Sequence, residues 1–161
     1  MEKEHTETRS TAEESYPIRL LQLSDKDKGF VDLLKQLTLC DSISDVDLAA
    51  RFEDISAHGD DHIICVIEEN HSQKIIAFGI LFIEKKIIRN CGKVGRIEDI
   101  VVDFSIRGKH LEQKIIRFLS EHAKSVGCYK IIPDDDDEMN KEFYEKCGFK
   151  EKGVVMELYF D

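Results

Sequence analysis

Glu98 and Asp99 interrupt an otherwise apolar run, residues 94–103 (VGRIEDIVVD), that reads as a β-strand. A carboxylate set within a sheet can orient or deprotonate an amine. Adjacent strand residues face opposite sides, so at most one of the two enters a given cleft. Such a charge can equally face water from an edge strand. Beyond this strand the chain passes through Arg107-Gly108-Lys109 into a long helical pattern. A helix N-terminus offers unpaired N–H groups and partial positive charge. A small residue there lets backbone donors approach a phosphate, and Arg107 and Lys109 add two cations. The same spacing also suits an ordinary strand-to-helix loop with a turn glycine. Tyr144, on a short helical stretch, could donate a proton to a departing thiolate, or be a half-buried helix tyrosine. Lys85, Lys86, Arg89, Lys93 and Arg96 could receive a phosphate, or form a solvated hairpin tip.

Other patterns point away from chemistry. Residues 134–137 are consecutive aspartates without the alternating spacing and glycine of a calcium loop, so a solvated acidic loop is expected. The histidines suggest no catalytic dyad, and no GxSxG, HExxH or P-loop run is present. No metal is expected. Cys40, Cys65, Cys91, Cys128 and Cys147 occur singly without a CxxC pair, which favours reduced thiols over a zinc ribbon or redox dithiol. A net charge of −10 argues against nucleic-acid binding and strong attachment to anionic lipid. An anionic small molecule would need a local cationic cluster. No apolar stretch nears the roughly 20 residues of a membrane-spanning helix, so no integral membrane segment is expected.

The elements that must position these residues follow from periodicity. The 161 residues suit one domain. Residues 1–15 read as a disordered polar tail, without signal- or transit-peptide character, and residues 16–161 as the domain. A first strand is expected over 16–23. Phe30, Leu33, Leu34 and Leu37 predict a helix over 28–37. A second helix is expected over 45–58, with Ser44 as N-cap and Gly59 as its stop. Residues 62–68 and 74–84 read as a hairpin. A long helix follows over 108–126, stopped by Gly127, then a short strand over 128–132. A short helix over 140–147 ends at Gly148, and a last strand is expected over 154–160. The alternation implies a mixed α/β sheet.

Together these runs resemble the GNAT acetyltransferase superfamily, and within it the eukaryotic glucosamine-6-phosphate N-acetyltransferase branch. The residues that carry the resemblance are Gly29-Phe30, Gln36-Leu37-Thr38, Ile83-Glu84-Lys85-Lys86 through Arg89-Asn90-Cys91, and Gly95-Arg96-Ile97-Glu98-Asp99-Ile100-Val101-Val102. They continue with Arg107-Gly108-Lys109, Cys128-Tyr129-Lys130-Ile131, and Asn140 with Phe143-Tyr144-Glu145-Lys146-Cys147-Gly148. The resemblance implies an acyl-CoA N-acyltransferase fold, with a central mixed, mostly antiparallel sheet flanked by helices. It implies direct attack of the sugar amine on the acetyl-CoA thioester, in the synthesis of UDP-N-acetylglucosamine. Glu98 and Tyr144 would be catalytic. Thr38, Lys86, Ile87, Ile88, Arg89, Glu98, Asp99, Ile100 and Lys130 would bind the sugar phosphate. Ile100, Val101 and Val102, then Arg107, Gly108, Lys109, His110, Leu111 and Glu112, with Asn140 and Tyr144, would bind acetyl-CoA. A homodimer with shared active sites is implied, in the cytoplasm, with peripheral attachment to the cytosolic face of endomembranes as an alternative.

Three departures bear on activity. His110 and Glu112 stand where the branch usually has Gln and Gly. A carboxylate about 5 Å from one pyrophosphate charge costs about 3 kcal/mol at an effective dielectric of about 20, before screening. The segment after Ile132 carries Pro133 and the aspartate run, and the last strand lacks a basic residue. These changes motivate two alternatives: a dimeric paralogue with weakened acetyl-CoA binding, and a GNAT enzyme acting on another small amine.

Overall fold

The structure, a computed structural model, describes residues 16–106, 108–134 and 140–160. In chain order it comprises β1 (Ile18–Leu20), a 3-10 turn (Leu23–Lys28), α1 (Phe30–Leu34), α2 (Asp45–Ser56), β2 (His62–Glu68), β3 (Ile75–Lys85), β4 (Lys93–Val102), α3 (Leu111–Ser125), β5 (Cys128–Pro133) and α4 (Lys141–Lys146). The strands form one sheet in the order β1-β2-β3-β4-β5. All neighbours are antiparallel except β4 and β5, which run parallel. A parallel pair needs a crossover, and α3 supplies it.

Both faces of the sheet are covered, which explains why β3 is a nearly unbroken apolar run, IIAFGILFI. On one face Leu111, Ile115, Ile116, Leu119 and Ala123 of α3 pack on Cys65, Ile67, Leu81 and Ile97. On the other, Phe30 and Leu33 of α1 pack on Val66, Phe78 and Val101. The period-two alternation of β2 thus feeds two cores. No helix among the described residues is long and apolar enough to cross a membrane.

Several elements differ from the periodicity reading. The first strand is confined to Ile18–Leu20, because Leu23–Lys28 coils into the 3-10 turn. The helix expected over 28–37 is reduced to α1, because Gly29 takes φ 80 and separates it from that turn. Ser44 caps α2 as expected, its Oγ accepting from the Asp47 N–H at 3.0 Å. Gly59 opens a short 3-10 turn rather than ending the helix directly. Residues 154–160 form no sheet ladder among the described residues. Their side chains stand in solvent, Met156 at 91% and Phe160 at 90% exposure, so the alternation that suggested a strand lacks a surface to pack on.

Composition did not point to the ion cluster beneath β1. Asp25 is fully buried. It accepts two hydrogen bonds of 2.8 Å from the Arg19 guanidinium and one from the Gln22 N–H. Arg19 also donates to Glu68 at 2.6 Å, and Glu68 accepts from Lys28 at 2.8 Å.

Candidate active site

The sheet opens where β4 and β5 part. Their pairing runs from Lys93 only to Ile97, opposite Pro133, and one further bond joins the Asp134 N–H to the Ile97 carbonyl at 2.8 Å. β4 continues to Val102. Along residues 98–102 its outer edge therefore has no β5 partner among the described residues. Val101 and Val102 are buried by side chain, 7% and 4% exposed, so what they can offer a ligand is backbone. Unpaired strand backbone is a template for an extended amide-containing ligand.

A bulge shapes the same stretch. Ile80 pairs with Glu98 and Phe78 with Val101, so Asp99 and Ile100 together oppose Gly79. Asp99 takes φ 53, a left-handed conformation that aspartate tolerates better than most residues. Strict alternation therefore does not extend across Asp99. A Cβ on Gly79 would lie 2.6 Å from Ile115 Cγ2, so α3 packs against the bulge only because position 79 is glycine.

Three carboxylates gather here. Partial burial, then the charges of Asp134 and Asp99, raise the pKa of Glu98 above the ordinary glutamate value. Burial and Asp134 raise Asp99 likewise, although its side chain still reaches solvent. Asp134 belongs to the run read as a solvated loop. Its backbone bond to β4 brings its charge to bear on Glu98 and Asp99, a long-range contact with no sequence signal. Its neighbours at 135–137 lie outside the described residues, as does Arg107. Arg96 opposes the rise in Glu98, but its Nε is held by Glu84 at 2.7 Å. Glu84 also accepts from Lys86, and these two cations hold its carboxyl down at about 2. Lys86 itself lies toward the Lys93 end of β4, its N–H bonded to the Gly92 carbonyl at 2.8 Å. Among the described residues no group of His, Cys, Asp or Glu side chains is arranged to hold a metal ion.

The turn after β4 is left-handed at two positions. Gly108 takes φ 91 and His110 φ 58, and Lys109 is exposed. α3 starts at Leu111, three residues later than expected, because these left-handed residues cannot belong to a right-handed helix. Leu111 anchors the turn in the core, and Glu112 sits half-buried in the first helical turn. Tyr144 is half-buried on α4, its ring edge-on to Phe143 and Phe149 at 5.3 and 5.5 Å. Asn140 immediately precedes that helix. Thr38 is exposed just beyond α1.

The remaining candidate residues sit elsewhere. Arg89, Asn90 and Cys91 all take φ of 56–59, forming a left-handed turn before β4. The Arg89 guanidinium lies 4.8 Å from the centre of the Tyr129 ring, and Lys130 Nζ 5.8 Å from it. These cations flank a cavity of about 530 Å³ lined by Arg89, Asn90, Cys91, Gly92, Gly127 and Tyr129. Ile87 and Ile88 beside it are 90% and 66% exposed. Tyr129 belongs to the runs that carry the family resemblance but has no implied site role, and residue spacing does not encode its stack with the two cations.

A β4 edge without a β5 partner, a bulge with a raised carboxylate and a left-handed turn before α3 follow one another along the chain. Residues 28–149 match the sequence profile of the Acetyltransferase (GNAT) family. The chain belongs to the GNAT acetyltransferase family. Among its relatives is glucosamine 6-phosphate N-acetyltransferase of Arabidopsis thaliana, 55% identical over 148 residues, covering 92% of this chain and 99% of that protein. The crystal structure of the Arabidopsis thaliana enzyme superposes with a TM-score of 0.88, covering 91% of this chain and 99% of the other. A Dictyostelium discoideum protein, glucosamine 6-phosphate N-acetyltransferase 1, is 44% identical over 150 residues, 93% of this chain and 94% of its own. The expected GNAT fold, a mixed and mostly antiparallel sheet flanked by helices, is the fold observed. GNAT acetyltransferases draw the acetyl group from acetyl-CoA. Strand backbone without a β5 partner and left-handed turn residues leading into a helix N-terminus are features that can receive an extended amide and a phosphate.

Proposed function

We propose that this chain transfers the acetyl group of acetyl-CoA to the amine of glucosamine 6-phosphate, forming N-acetylglucosamine 6-phosphate for UDP-N-acetylglucosamine synthesis. The observation that carries this reading is the near-full-length identity to enzymes of that name, 55% and 44%. Glu98 accepts the amine proton, its raised pKa bringing it nearer the pH at which a base works well. The amine nitrogen bonds to the thioester carbon, the C–S bond breaks, and Tyr144 protonates the departing thiolate. The backbone of Ile100, Val101 and Val102 pairs with the pantetheine arm. Residues 107–112 cradle the pyrophosphate, and Asn140 contacts the co-substrate. Thr38, Lys86, Ile87, Ile88, Arg89, Asp99 and Lys130 form the sugar-phosphate surface.

Two copies of the chain complete that surface. Arg89 and Lys130 flank Tyr129 at the Lys93 end of β4. The half-strand from Lys93 to Glu98 is about 16 Å at about 3.3 Å per residue, longer than a hexosamine phosphate. A second chain supplying the cations removes this gap, and the exposed apolar segment 154–160 gives it a surface to cover. Sedimentation as a monomer at assay concentration would remove the dimer. The protein works in the cytoplasm. The activity is tested by thiol release from acetyl-CoA. Release should depend on glucosamine 6-phosphate and exceed that with glucosamine or other amines, and no release above background at millimolar substrate overturns the reading.

A further inference from the structure

We propose that Gln36 is a positioning residue that couples the amine-side wall of the site to the acetyl-CoA turn. It rests on the reading of residues 107–112 as that turn. Gln36 stands on the coil after α1, two positions before Thr38. This coil is fixed by bonds from the Gln36 N–H to the Leu33 carbonyl at 3.0 Å and from the Thr38 N–H to the Leu34 carbonyl at 3.2 Å. Leu33 itself is buried in the core, so Gln36 projects from a firm post.

Its side chain reaches across to the segment after β4. The Gln36 Oε1 accepts from the Phe104 N–H at 3.0 Å, and Nε2 donates to Asp103 Oδ2 at 3.3 Å. Asp103 is pinned from three further directions. Its N–H donates to the Ile76 carbonyl at 2.8 Å, and its Oδ1 accepts from the Ser105 N–H at 2.9 Å and the Ser105 hydroxyl at 2.6 Å. Phe104–Ile106 forms the 3-10 turn that ends immediately before residue 107. The carboxamide therefore bridges Thr38's coil and the entry to residues 107–112.

The chemistry of the bridge is specific to an amide. One end must accept from a backbone N–H, and the other must donate to a carboxylate. Glutamate meets only the first need and places two carboxylates face to face. Leucine, of similar length, meets neither.

The test compares the full-length protein with Gln36→Leu, Gln36→Glu and the double variant Gln36→Glu/Asp103→Asn. Two quantities are read: amide hydrogen exchange over residues 104–112 without ligand, and the acetyl-CoA Kd by calorimetry. Gln36→Leu should speed exchange in that segment and weaken acetyl-CoA about fivefold, the weight of one net hydrogen bond, while Tm stays close to wild type. Gln36→Glu should weaken binding further. The double variant should recover both readouts, since the new carboxamide at position 103 can donate to the new carboxylate at 36. Unchanged exchange in Gln36→Leu, or no recovery in the double variant, overturns the coupling. Failure of the wild-type protein to bind acetyl-CoA would instead overturn the co-substrate reading, and exchange alone would then decide the coupling.

Discussion

Asp25 and Glu68 lie among cations, whereas Glu98 and Asp99 lie beside each other and Asp134, and the carboxyls of Glu98 and Asp99 titrate in the opposite direction to those of Asp25 and Glu68. Burial alone would raise Asp25, yet the hydrogen bonds from Arg19 and from the Gln22 N–H outweigh it and hold the carboxyl below its ordinary value. Lys28 and Arg19 lower Glu68 in the same way. On β4, burial raises Glu98 and Asp99, and Asp134 adds to the rise. The Arg96 guanidinium, which opposes the rise at Glu98, is itself hydrogen-bonded to Glu84. The first group is countercharged and closes a corner of the fold. The second has less countercharge among the described residues, which raises proton affinity at Glu98, where the proposed reaction would have an amine lose its proton.

The comparison breaks most sharply at Glu98. Glu98→Gln should lower kcat by about 10²- to 10⁴-fold, the usual weight of a general base. A loss under tenfold would take the proton-accepting role away from Glu98. The same variant checks the direction of the shift. A carboxyl whose pKa is raised on folding binds its proton more tightly in the native state, so its contribution to stability declines as pH rises from the ordinary value of 4.5 through the raised one. Urea titrations in that window should show Glu98→Gln losing less stability with rising pH than wild type.

At the other corner the expected effect falls on stability. Arg19→Ala leaves Asp25 buried without its bidentate partner and should cost about 3 kcal/mol in urea unfolding. The pH sign is reversed here. A depressed carboxyl stabilises the fold fully above its unfolded value, 3.8 for Asp25, and loses that contribution as pH falls through the lowered one. Arg19→Ala should therefore flatten the acid limb of wild-type stability below pH 3.8. An unchanged acid limb would mean that the Arg19–Asp25 pair does not set it.

The sequence was most legible where one chemical pattern repeats along a single element. The apolar face of α3 and the Ser44 cap were read directly. Arg107-Gly108-Lys109 marked the turn, although left-handed Gly108 and His110 moved the helix start to Leu111. Glu98 stood out as a charge in an apolar strand. What escaped notice depends on contacts between distant segments. Asp25 looks like any loop aspartate until Arg19 and Glu68 close around it. Asp134 was hidden within an acidic run because sequence does not record its backbone bond to Ile97. The strand expected at 154–160 failed for the opposite reason: alternation specifies a pleat, and a pleat needs a neighbour.

Asp134 offers the smallest and most discriminating change. Burial is the first cause of the raised Glu98 value and the charge of Asp134 the second. Asp134→Asn keeps the side chain's size and removes that charge. The Glu98 pKa should fall, though not to its ordinary value, and the acidic limb of the kcat/KM profile should move to lower pH. The plateau rate should change little, because the base itself remains. Stability should also change far less than in Arg19→Ala, since Asp134 is exposed. An acidic limb that stays in place would mean that burial alone tunes Glu98. A limb that moves to higher pH would mean that Asp134 assists deprotonation, and the two carboxylate clusters would then share more of their logic than their opposite shifts imply.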